Sequence, residues 1–153
     1  MINIKEERRK FPRLNKSVKI RFKVLTDLER KIFPEFDTYV TLAKSKNISI
    51  NGLCLESEQE LLPNTIIGLE IFFPEVSQPI RALGKVIWSK KSESGSSFYS
   101  GIEFVAIKEK YFDQIAHTIA DYFVRKYKLK DEEEKSNLMH IFLQFFHHHR
   151  KIK

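Results

Sequence analysis

The sequence predicts a mainly β fold, a small antiparallel barrel or sandwich followed by two C-terminal helices. Three observations carry this. Apolar and polar residues alternate in short runs from about residue 17 to residue 104. Those runs are separated by Pro-, Gly-, Asn- and Ser-rich turns with no helix between them. After residue 108 the apolar spacing changes from a period of two to a helical one. A chain of 153 residues suits one such domain with a helical appendage. The natural divisions are an arm (1–16), a β domain (17–108) and a helical extension (109–153).

The elements follow in order. Val18, Ile20, Phe22 and Val24 alternate with Lys19, Arg21 and Lys23, the pattern of a half-buried strand. Residues 26–37 contain Pro34 and no clear period, and are expected to be a long connection. A weaker strand is expected over 38–46. A turn containing Asn51 and Gly52 then leads to Leu53, Cys54 and Leu55, with the two leucines on one face. Pro63 and Asn64 break the chain before a strand at 66–73, and Pro74 to Pro79 form the next connection. A long strand at 80–90 reverses through the Ser/Gly-rich stretch 92–97 into another at 98–104. Trp88 and Phe104 are expected in the core. Phe112, Ile115, Ala116, Ile119 and Phe123 then fall at helical spacing. A second helix is expected over 131–149, with acids at its start, basic residues at its end and a stripe of Leu138, Ile141, Phe142, Phe145 and Phe146.

Composition removes several function classes. At 42% hydrophobic and 31% charged, this is the composition of an ordinary globular chain. No apolar run is long enough to span a membrane. The N-terminus, Met-Ile-Asn-Ile-Lys-Glu-Glu-Arg-Arg, lacks the apolar core of a signal peptide. The single cysteine, Cys54, excludes an internal disulfide and a cysteine-based metal cluster. It is expected to be a packed small hydrophobe. A cytoplasmic address follows from these points. No nucleophile stands beside a base in any recognisable pattern, and His117 is alone on its helix, so no enzyme is expected. His147, His148 and His149 are consecutive and point three ways on a helix, so no metal site is expected either.

Charge is unevenly placed. Residues 5–23 hold nine of the 27 basic side chains and two of the 20 acids, so the whole net charge of +7 lies there. Such a segment is either a solvated basic tail or a surface that meets an anion: nucleic acid, a nucleotide or an acidic membrane. Within it, Arg9-Lys10-Phe11-Pro12-Arg13 forms an Arg-x-x-x-Arg immediately before the first strand. Further on, Asn47-Ile48-Ser49-Ile50-Asn51-Gly52 forms an Asn-x-Ser-x-x-Gly at a strand–turn–strand junction. Arginine offers a planar fork for phosphate oxygens and for guanine O6/N7, and a flat face for stacking. Asn47 and Ser49 offer hydrogen bonds to a guanine edge or a phosphate. Gly52 permits a tight turn and close approach by a ligand.

The two motifs, in this order around a strand, resemble those of the PilZ family, whose members bind the bacterial second messenger cyclic di-GMP. Gly84-Lys85-Val86-Ile87-Trp88 and Gly101-Ile102-Glu103-Phe104 are similar to that family's late strands. The resemblance covers roughly residues 7–108. It implies a six-stranded antiparallel β-barrel followed here by two C-terminal α-helices. It also implies a bacterial receptor or adaptor without a cofactor, whose disordered arm (5–16) folds over the ligand and signals to a partner protein. Arg9 and Arg13 would clamp phosphate and guanine, and Asn47, Ser49 and Gly52 would form the barrel-side wall. An arginine immediately before the first motif, here Arg8, implies capture of two stacked cyclic di-GMP molecules per chain. Two other readings remain: a nucleic-acid-binding barrel with a basic arm, disfavoured by the few aromatics there, and an interaction or homo-oligomerisation module acting through the C-terminal helices.

Overall fold

Six short runs rich in apolar residues, some alternating and some buried at consecutive positions as over 52–57 and 66–72, bury their apolar faces by closing on one another. In the computed structural model, which describes residues 13–32, 41–126 and 140, the strands are β1 (Lys19–Val24), β2 (Thr41–Ser49), β3 (Gly52–Ser57), β4 (Ile66–Phe72), β5 (Ile80–Lys91) and β6 (Phe98–Ile107). They form a closed barrel in the order β1-β2-β3-β6-β5-β4, with β4 paired back to β1 and every pairing antiparallel. Closure leaves no strand edge unpaired. The interior is filled by Ile20 and Phe22, Leu55, Leu69 and Ile71, Ala82 and Val86, and Phe104, all fully buried.

Among the described residues, two named helices accompany the barrel. Helix α2 (Glu109–Lys126) turns Ile115, Ala116, Ile119 and Ala120 into the barrel's own core cluster. That face is the helical stripe read from the sequence. The second C-terminal helix, expected over 131–149, lies outside the described residues apart from His140, which is helical.

Helix α1 (Asp27–Lys31) is a correction to the long connection expected over 26–37. Thr26 and Glu29 form a reciprocal capping box, with the Thr26 hydroxyl accepting from Glu29 N at 3.2 Å and the Glu29 carboxylate accepting from Thr26 N at 3.1 Å. Glu29 also pairs with Lys23 of β1, and these contacts hold its carboxyl below the usual range.

Three further expectations change. Strand β2 runs on to Ser49, past the expected end at 46, because an irregularity at Lys46 resets its alternation and returns Ile48 to the core. Gly52 is the first residue of β3, paired with Ser49, and the turn itself is made by Ile50 and Asn51. Phe104 is buried as expected, but Trp88 is 43% exposed on the outer surface.

Candidate functional site

Register across four strands lays out the floor of a cleft. Asn47 of β2 faces Cys54 of β3, Cys54 faces Gly101 of β6, and Gly101 faces Trp88 of β5. The missing side chain at Gly101 is what admits the tryptophan: a Cβ there would lie 2.2 Å from Trp88 Nε1. The indole therefore lies across the glycine toward the middle of the row.

Each side of the cleft is raised by a break in strand alternation. On β2 the register shifts between Ser45 and Asn47, so that Lys46 and Asn47, consecutive residues, both line the cleft. On β5 it shifts between Val86 and Trp88, so that Ile87 and Trp88 both line it while Val86 stays fully buried. Bulges of this kind re-aim side chains that a regular strand would bury.

The end of the N-terminal arm is fixed to this framework. Leu14 is fully buried and exchanges two backbone hydrogen bonds with Ile48, its N–H donating to Ile48 O at 2.7 Å and its carbonyl oxygen accepting from Ile48 N at 2.9 Å. The Ser45 hydroxyl donates to Lys16 O at 2.7 Å and accepts from Val18 N at 2.9 Å. These contacts seat residues 14–18 along β2 and bring Arg13 to the cleft wall beside Asn47 and Ser49.

The resulting cleft holds about 370 Å³, within the ~300–1,000 Å³ of small-molecule sites. Arg13, Lys46 and Lys90 line it, against one acid, Glu103. Lys46 Nζ stands 4.3 Å from the centre of the Tyr99 ring, and Lys90 Nζ stands 5.6 Å from that of Trp88. All three positive charges act on Cys54 at the floor. They oppose burial, which is the larger effect and pushes the thiol up. The site is thus a positively charged slot with an aromatic wall. That combination suits a flat, anionic, base-bearing ligand.

Of the residues singled out in the sequence, Arg13, Asn47, Ser49 and Gly52 line this one cleft. Arg8 and Arg9 lie outside the described residues. The Ser49 hydroxyl is engaged in the turn, bonding the Asn51 side chain and reaching Gly52 O at 3.4 Å. Gly52 keeps its place through its neighbour strand, since a Cβ would stand 2.0 Å from Ile102 O. Lys46, Trp88, Lys90 and Tyr99 were not foreseen. A tryptophan and a glycine facing each other on adjacent strands was the available signal for Trp88.

Among the described residues no group of three His, Cys, Asp or Glu could hold a metal ion, and no helix is long and apolar enough to cross a membrane.

The sequence matches the PilZ domain profile over residues 7–121. No curated protein matches it by sequence. Among solved structures, the Bacillus subtilis inhibitor of motility (MotI/DgrA) is similar at 15% identity and a TM-score of 0.59, covering 81% of this chain and 54% of that one. The chain therefore spans about half the length of that protein. A tetrameric PilZ domain protein of Xanthomonas campestris, self-assembled through a helical bundle, is similar at 14% identity and a TM-score of 0.53, covering 77% and 87% of the two chains. The PilZ domain of Escherichia coli YcgR, solved with c-di-GMP, is similar at 10% identity and a TM-score of 0.52, covering 80% and 98%. At such identities the likeness is one of fold.

Proposed function

Since the chain belongs to the PilZ domain family, we propose that it is a cyclic di-GMP receptor that changes conformation on binding and signals to a partner protein. The observation that supports this best is the convergence of Arg13 and Asn47, from the two motifs, on one cation-lined cleft. Two phosphates and two guanines require positive charge, a flat face and edge-directed hydrogen bonds. Arg13 supplies the fork, together with Arg9, the first arginine of the same motif. Asn47 hydrogen-bonds a guanine edge, and the Trp88 indole gives a stacking surface. Ser49 and Gly52 hold the wall against which the ligand rests.

The part of the arm (5–16) that precedes the Leu14–Ile48 pairing closes over the bound nucleotide, and that pairing, already formed, passes its position to β2. Ordering the arm costs conformational entropy, which charge neutralisation and stacking offset. Binding and release suffice for this role, and no catalytic step is assigned. The partner is a downstream protein, with self-association through the C-terminal segment (109–153) as a second route of output. A cytoplasmic location fits a receptor for an internal messenger.

Arg8 gives the stoichiometry. Two stacked cyclic di-GMP molecules bring four phosphate charges together, and a further cation beside the clamp offsets their repulsion. Calorimetric titration with cyclic di-GMP, GTP and single-stranded DNA tests the whole reading. Saturable binding of cyclic di-GMP alone is expected, at two per chain, falling toward one in Arg8→Leu. Absence of cyclic di-GMP binding refutes the receptor role, and preferential DNA binding with a steep salt slope replaces it with a nucleic-acid one.

A further inference from the structure

Cations on the barrel surface are held in two different ways. Lys16, Lys23, Arg30 and Arg81 sit against carboxylates, of Glu75, Glu29, Asp27 and Glu70. Lys46 does not: no ion pair among the described residues engages it, and its ammonium rests on the face of Tyr99 at 4.3 Å. A ring face restrains a cation without cancelling its charge. Lys46 is thus positioned and still positive.

Its place in the strand points the same way. The bulge between Ser45 and Asn47 gives β2 one residue more than β3 can pair. Ser45 stays inside at 1% exposure, Ile48 stays inside at 0%, and the two residues between them both face the cleft. A regular strand would show either Lys46 or Asn47 there. The bulge shows both, and places an ammonium beside an amide on the wall that Arg13 also joins. Among the cations acting on the Cys54 thiol at the floor, Lys46 has the largest effect, ahead of Arg13 and Lys90.

We infer that Lys46 is a phosphate-binding side chain of the cleft, carried by the barrel itself, and that Tyr99 is its positioning residue. This rests on the cyclic di-GMP reading. It adds a cation that belongs to neither sequence motif and is pre-set before the ligand arrives, so little ordering cost remains to be met on binding.

The test is calorimetry with cyclic di-GMP on the full chain at two salt concentrations, with melting temperature measured alongside. Lys46→Met should weaken binding about tenfold or more, as expected for losing a charged hydrogen bond, and the loss should shrink at high salt. Lys46→Arg should retain binding. Tyr99→Leu should weaken it about threefold at an unchanged melting temperature, whereas Tyr99→Phe, which keeps the ring face, should not. Lys44→Met removes an exposed cation of the same strand that does not line the cleft, and should leave affinity unchanged. The inference is overturned if Lys46→Met binds like the wild type, or if Lys44→Met loses as much. A wild type that binds no cyclic di-GMP removes the receptor reading itself, and Lys46 with it.

Discussion

Replacing Gly52 by alanine separates two reasons for a glycine in the second motif. The sequence suggests a turn residue that leaves room for a ligand, but in the structure Gly52 opens β3 opposite Glu103 of β6. A Cβ would stand 2.0 Å from Ile102 O, 3.1 Å from its carbonyl carbon and 3.2 Å from Glu103 Cα. A carbon needs roughly 3.3 Å from a carbonyl oxygen, so the two strands must part by more than about 1 Å. Neither can do so freely, because Gly52 is also paired to Ser49 on its other side and the barrel is closed. Overpacking of this kind costs ~1–3 kcal/mol, and one lost ladder hydrogen bond adds about 1 kcal/mol. A total of roughly 2–4 kcal/mol lowers the melting temperature of a chain this size by about 4–16 °C. Thermal unfolding of the ligand-free Gly52→Ala protein measures this, followed by titration at a temperature where both proteins are folded. An unchanged melting temperature with lost affinity would refute the strand argument and restore the ligand-approach one.

Other perturbations separate the wall from the core. Trp88→Ala should lower cyclic di-GMP affinity by about tenfold, since stacking on one base is worth ~1–3 kcal/mol. Its melting temperature should hardly move, because the side chain is 43% exposed; a large fall in stability would return Trp88 to the core. Leu14→Ala should cost ~2–5 kcal/mol, as for other fully buried leucines, and should also weaken binding because Arg13 loses its anchor. Wild-type stability in that variant would show that the Leu14–Ile48 bridge carries no weight. Burial raises the Cys54 pKa, so the unreactive thiol persists above the usual value near 8.5. Iodoacetamide at pH 8 should therefore alkylate it more slowly than a free cysteine, and an equal rate would contradict its place on the floor.

The parts of the fold that were legible are those where period two holds. Ile20 and Phe22 on β1, and Ile102 and Phe104 on β6, alternate with outward residues and are buried as that spacing requires. The stripe of α2 was legible for the same reason, with Ile115, Ala116 and Ile119 buried on one face. Helix α1 was missed although Thr26 and Glu29 stood at capping-box spacing, because Pro34 and the absence of a buried face drew the segment toward irregular structure.

The site escaped where periodicity fails, and for one physical cause. A bulge inserts a residue that no local propensity marks, and every side chain beyond it changes face. Counting by twos from Val86 places Trp88 inside; the irregularity after Val86 places it outside, against Gly101. The same slip at Lys46 turns Asn47 outward and lets it share the wall with the lysine. Charge shows a related gap between amount and direction. The basic excess of residues 5–23 was visible from composition, yet the structure divides its described members among different tasks. Lys16 and Lys23 pair with Glu75 and Glu29, Lys19 and Arg21 lie over Phe72, and Arg13 lines the cleft. Composition located the positive charge, but the Leu14–Ile48 bridge and the two bulges decide which cations line the cleft. Two strands that break their alternation, β2 on one side of the cleft and β5 on the other, give up ladder regularity at each break, and what they gain is a second outward side chain on each wall.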